Sequence, residues 1–199
     1  SSRTSSPPNA SAKRADPIAA LARPWMAELH HFWFRTLGPS DWYASDSSVD
    51  SELRHRFARE WHALRHLPAD SFLDSPRGAL AAVLLFDQVP RNLFRGSAQS
   101  YASDPLARAI ATQVLRRGWH RSLTRDERQF LYMPFMHSED IADQRLSLML
   151  FARLGRALSF ARDHYAMIAQ FGRFPHRNDV LGRETSPAEA RAIERGHAW

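Results

Sequence analysis

Three segments of the chain carry residues that can do chemistry: Asp87 to Arg95 (DQVPRNLFR), His137 to Gln144 (HSEDIADQ) and His164 to Arg183, which ends in FGRFPHRNDVLGR. Together they hold three histidines able to exchange protons near neutral pH, namely His137, His164 and His176. They also hold arginines whose planar guanidinium can grip a carboxylate or phosphate through two hydrogen bonds. Asp87 and Arg91 stand four apart, as do Gln88 and Asn92. If helical turns persist across Pro90, each pair meets on one face.

Two uses fit these groups. In the first, Arg91, Arg173, Arg177 and Arg183 hold a small anion while Asn92 and Asn178 orient it. Gln88, Asp140, Gln144 and His176 complete the ligand-binding set. His137 or His164 then acts as general acid or base, tuned by Asp87 or Glu139. In the second, Asp87, Glu139 and Asp140 are counterions to Arg91, Arg173 and Arg177, and the network locks helix ends without binding anything. That alternative makes the protein a helical module that binds a protein or peptide. The spacing of His137, Glu139, Asp140, His164 and His176 matches no zinc motif, and no cofactor is implied. A nucleophilic triad drawn from Ser138, His164 and Asp87 lacks the Gly-x-Ser-x-Gly elbow that would expose its serine.

The elements that must position these groups are helical. A helix is expected from about Pro24 to Leu37, stopped by Gly38-Pro39, beyond which Trp42 and Tyr43 form an aromatic loop. Val49, Leu53, Phe57, Trp61 and Leu64 recur at helical spacing. Ser75-Pro76 opens a third helix, apolar nearly all round from Ala79 to Phe86, that runs into the first polar segment. Asp104-Pro105 opens a fourth, ending at Gly118, and the capping box Thr124 to Glu127 a fifth, which Pro134 is expected to stop. Ser138 is placed to cap a sixth, and Gly155 turns the chain into a seventh that puts His164 inside with Ile168 and Phe171. A second capping box, Ser186 to Glu189, starts a short last helix. No stretch alternates with the period of a strand, so the class is all-α.

At these same residues the sequence resembles a bacterial family known as domain of unknown function 924. The motifs are FWF at Phe32 to Phe34, LLFDQVPRNLFRG at Leu84 to Gly96, Asp104, FLYMPFMHSED at Phe130 to Asp140, and HYAMIAQFGRFPHRNDVLGRETSPAE at His164 to Glu189. The resemblance covers about Leu29 to Arg195. It implies an antiparallel, tetratricopeptide-repeat-like array of about seven to eight helices. It also sets the candidate residues above, with Arg95, Ser138 and Gly182, on the family's motif positions. Val89 departs from the family's usual Phe, and the connection around Gly155 is shorter than usual. The family brings no established reaction, and the letters show no repeat of their own.

Composition bounds the rest. With 199 residues, 44% of them hydrophobic, and 6 Trp, 4 Tyr and 12 Phe, residues 17–199 suffice for one helical domain with a real core. Ser1 to Asp16, rich in Ser and Pro and without apolar periodicity, reads as a disordered tail. No cysteine is present, which excludes thiolate chemistry and suits a cytoplasmic protein. The longest apolar run, Ala79 to Phe86, is too short to cross a bilayer. The net charge of +6 permits an anionic partner, but no nucleic-acid-binding motif accompanies it, so nucleic acid is not the expected partner.

Overall fold

The computed structural model describes residues 24–199, so the expected tail lies outside the described residues. Within them every regular element is helical and there is no strand. Helix α1 (Trp25–His31) continues through a π-helical turn, Phe32–Thr36. Helix α2 (Ser47–Leu64) is capped by Asp46, whose carboxylate accepts from the Ser48 and Val49 amides. Helix α3 has three parts in unbroken succession: Pro76–Val83, a π turn at Leu84–Gln88, and Val89–Leu93. Then come α4 (Asp104–Arg116), α5 (Arg125–Met136), α6 (Ile141–Leu154), α7 (Leu158–Phe171) and α8 (Pro187–Glu194).

Most boundaries follow the capping chemistry that the sequence displays. Ser75 accepts from the Gly78 amide, and both capping boxes form, Thr124 with Glu127 and Ser186 with Glu189. Two boundaries differ. Pro134 does not stop α5 but lies within it, two residues from its end. A proline there forfeits one hydrogen bond near the terminus, while Phe130, Met133, Phe135 and Met136 all gain burial. The cap of α6 is Asp140 and not Ser138: its carboxylate accepts from the amides of Ala142 (2.7 Å) and Asp143 (3.3 Å). Ser138 instead donates its hydroxyl proton to Asp143 (2.7 Å).

The centre of the core is α3, where every residue from Ala79 to Asp87 is fully buried. Around it pack α1, α4 and α5, and the indoles of Trp25, Trp33 and Trp61 are enclosed. An aromatic cluster fixes the loop after α1. Trp42 meets Phe130 edge-on at 4.9 Å and donates its indole N–H to the Trp33 carbonyl at 2.9 Å. The neighbouring Tyr43 is thereby held over Phe130 at 6.2 Å.

Helices α6 and α7 form a tight antiparallel hairpin. Gly155 (φ 67) and Ala157 (φ 56) both adopt the left-handed conformation in the turn. Arg125 reaches across to cap the end of α6, donating to the carbonyls of Leu154 (3.1 Å) and Gly155 (2.7 Å). A small second core of Met167, Ile168, Phe174 and Ala192 joins α7 to α8 and seats the loop between them. Among the described residues no helix is long and apolar enough to cross a membrane.

Candidate functional site

A cavity of about 880 Å³ opens between the C-terminal part of α3, the 38–46 loop, α5, the start of α7 and the loop after α7. Its volume suits a small organic ligand. The sequence-predicted residues Gln88, Arg91, Asn92, His137, His164, His176 and Arg177 all line it. Three distant stretches of the chain are thus brought to one place.

The first contribution comes from the π turn of α3. Asp87 is fully buried behind the cavity wall, and its Oδ2 accepts from Gln88 Nε2 at 2.7 Å. The other oxygen, Oδ1, takes a hydrogen bond from His137 Nδ1 at 2.7 Å. Burial alone would raise the Asp87 pKa, but His137, then Arg91, outweigh it and hold the carboxyl below its ordinary value. Asp87 is therefore an anion, and an anion can only accept. The proton of the bond must sit on His137 Nδ1, which leaves Nε2 as the ring nitrogen that can exchange a proton with a ligand.

Helical turns do persist across Pro90, though the pairs meet differently from a simple side-chain match. Arg91 donates to the Asp87 carbonyl (2.6 Å) and stands 3.6 Å from its carboxylate. Asn92 donates to the backbone carbonyl of Gln88 (3.0 Å) and not to its side chain. Arg91 is clasped in bidentate fashion by Asp104 at the start of α4 (2.7 and 3.0 Å). Burial works against the Arg91 charge, yet Asp104 and Asp87 raise its pKa above the ordinary value.

Arg177 stands apart. Four arginines line the cavity, and three of them hold a carboxylate: Arg91 holds Asp104, Arg95 holds Asp50, and Arg156 holds Asp126. Arg177 comes no closer to a carboxylate than 3.9 Å, from Nη1 to the Asp104 oxygen that Arg91 already occupies. Its Nη2 donates to the His137 carbonyl (2.9 Å), while its buried Nε has no hydrogen-bond partner. The guanidinium lies against the rings of Tyr101 (4.3 Å) and Phe174 (4.6 Å), and only 7% of the residue is exposed. Burial, followed by repulsion from Arg91, lowers its pKa. It is a buried cation whose nearest carboxylate lies beyond hydrogen-bond distance.

The two remaining histidines are neutral. Burial, with repulsion from His137, drives His164 down to about 3, and its Nδ1 donates to the Phe160 carbonyl (2.7 Å). Burial, then Arg177, brings His176 down to about 4, and its buried Nδ1 is also without a partner. Neither can serve as an acid near neutral pH.

The other predicted residues do not line the cavity. Glu139 is bound by Arg183 through two hydrogen bonds of 3.0 Å and accepts from the Phe174 amide at 2.8 Å. Arg183 also donates to Asn178 (2.9 Å) and to the Phe174 carbonyl (3.1 Å), so these three side chains hold the loop after α7 against the start of α6. Burial would raise the Glu139 pKa, but Arg183 and that amide hold it below the ordinary value. Arg173 pairs with Glu189 in the capping box of α8 (2.7 and 3.1 Å). Asp140 caps α6, as described. Gln144, fully buried, donates to the carbonyls of Met136 and Ser138 (both 2.7 Å) and ties the end of α5 to α6. The structure thus divides the candidates between a cavity and the clamps that hold its walls.

Sequence reasoning missed the apolar part of the lining, which includes Tyr101, Met133, Met136, Phe160 and Trp199. Trp199 stacks on His164 at 3.9 Å. Trp42 and Tyr43 were legible only as loop aromatics. No signal in the letters separates such residues from the core.

The fold and site define a class, an all-helical protein with a basic, part-apolar cavity at the C-terminal end of its central helix. The particular family follows from comparison. Residues 29–197 match the family described as bacterial protein of unknown function, DUF924, and the chain belongs to it. A solved structure of a protein of unknown function from Agrobacterium tumefaciens is similar, with a TM-score of 0.81 and 41% identity over 86% of this chain and 97% of that one. No curated protein matches the chain.

Proposed function

We propose that the cavity binds a small organic anion, a carboxylate or phosphate, with Arg177 as its anchoring cation. The observation that carries this reading is the state of Arg177, buried at the cavity wall with its nearest carboxylate at 3.9 Å and already shared with Arg91. A buried charge without a tight partner is costly, and an incoming anion would relieve that cost through charge-assisted hydrogen bonds. His176 offers a second, neutral contact beside it. His137, whose Nδ1 is held by Asp87, is the group placed to take a proton from what binds, so acid–base catalysis is the activity the site is equipped for.

The test is calorimetric titration of the purified protein with acetate and with inorganic phosphate, alongside an Arg177→Met variant of unchanged circular dichroism. Saturable heat with either anion, absent from the variant, is the expected result. Equal heat from both proteins would remove Arg177 from the role and the reading with it.

A further inference from the structure

We infer that the ligand is amphipathic, an anionic head joined to an apolar body, the head at Arg177 and the body on the apolar side chains that line the same cavity. The inference rests on the anion-binding reading and extends it to the class of molecule. Its basis is a separate observation. Among the described residues five large hydrophobic side chains are exposed, and three of them, Tyr43, Phe160 and Trp199, line this one cavity. Single exposed apolar side chains are ordinary, whereas a cluster around a concave site marks a surface that is covered when the site is filled. Below them Met133 and Met136, only 5% and 2% exposed, contribute deformable thioether chains that adapt to an apolar guest.

Most of the polar and most of the apolar lining come from different parts of the fold. Gln88, Arg91 and Asn92 from α3, with His176 and Arg177 from the loop after α7, make the polar side. The 38–46 loop, α5 and the start of α7 supply the more apolar side, with Trp42, Tyr43, Met133, Met136 and Phe160 beside Gln129 and Arg156. A purely polar anion such as phosphate or a short dicarboxylate would leave the second wall in water. A neutral apolar molecule would leave Arg177 without its anion. Only a molecule carrying both features satisfies both walls.

The test is a homologous series, acetate, butanoate, hexanoate, octanoate and decanoate, titrated calorimetrically into the full chain, with hexanol and octanol as uncharged controls. Each methylene that enters the apolar wall should tighten binding by a factor of about four until the wall is covered. Phe160→Ser, a change at an exposed side chain, should flatten that dependence, and Arg177→Met should bring the acids down to the level of the alcohols. A series in which acetate binds as well as octanoate, still lost in Arg177→Met, would overturn the apolar body while leaving the anion site intact. Alcohols binding as well as the acids, with no effect of Arg177→Met, would overturn the charged head and with it the reading beneath. Absence of saturable binding by every member would overturn both.

Discussion

Replacing Arg177 by methionine separates a binding cation from a structural one, because the two roles demand opposite effects on stability. A cation that locks the fold leaves a buried, unmatched carboxylate when it is removed, at a loss of about 3–5 kcal/mol. Here the carboxylate nearest Arg177 is Asp104, which keeps both of its hydrogen bonds to Arg91 (2.7 and 3.0 Å) after the change. What is lost is one charge-assisted hydrogen bond to the His137 carbonyl, about 1.5–3 kcal/mol, and the contacts with two aromatic rings, about 0.5–2 kcal/mol each. What is relieved is the burial of a guanidinium, several kcal/mol, while a methionine refills part of the volume. The opposing terms are of like size, so stability should change by no more than about 1 kcal/mol. For a chain of this length that moves the Tm by about 2–4 °C. Arg183→Met is the matched control, since Glu139 would lose both 3.0 Å hydrogen bonds from that guanidinium and should register a larger fall. Thermal denaturation followed by circular dichroism reads both. A fall of about 10 °C in Arg177→Met would refute the argument and make the residue part of the scaffold.

Stability should also fall with acid earlier than carboxylates alone would cause. His164 (about 3) and His176 (about 4) lie below the ordinary histidine value of 6.5, so the folded protein keeps them neutral while the unfolded chain protonates them. Their contribution is complete above pH 6.5 and drains away as pH drops towards 4 and 3, with a limiting slope of about 1.4 kcal/mol per pH unit for each histidine. Asp87 and Glu139, both held low, add to the loss only in the more acidic carboxylate range. Urea midpoints at pH 7.5, 6 and 5 should decline steadily, and equal midpoints at 7.5 and 5 would contradict the burial argument. Gln144→Leu should cost about 2–4 kcal/mol, because two buried carbonyls lose their 2.7 Å donor, yet leave anion binding unchanged in calorimetry; weakened binding in a folded variant would bring Gln144 back to the site.

The sequence disclosed what local chemistry dictates and concealed what only packing decides. Ser75, Thr124 and Ser186 announced helix starts because a cap is a bond between near neighbours, and Gly155 announced a turn because its backbone must take a positive φ. Ser138 and Asp140 both fit the cap of α6 by type, and only the geometry of the α5–α6 corner chose the aspartate. The charged candidates were legible as a set but not in their division of labour. Arg177 and Arg183 are six residues apart in one loop and read alike, yet one meets Glu139 squarely and the other meets no carboxylate within 3.5 Å. That difference depends on where α4 places Asp104 and the α5–α6 corner places Glu139. The apolar wall was illegible for a simpler reason, since Met133 or Phe160 has the same letter in a core as in a cavity.

The π turn at Leu84–Gln88 is the local feature on which the site's chemistry depends, and no periodicity foretells it. A π turn widens the helix by one residue and rotates everything beyond it relative to the helix before it. In α3 that rotation spans Leu84–Gln88, where the apolar segment that starts at Ala79 meets the polar run that starts at Asp87. Asp87 can therefore remain enclosed while Gln88, Arg91 and Asn92 reach the cavity surface. An enclosed carboxylate keeps its charge only by having His137, Gln88 and Arg91 around it, and the bond from His137 is what fixes that ring's proton on Nδ1. The enclosed Asp87 and the Nδ1 proton of His137 that it fixes thus both follow the helix irregularity. A change that restores regular α geometry at Leu84–Gln88 should disturb the histidine before it disturbs the core.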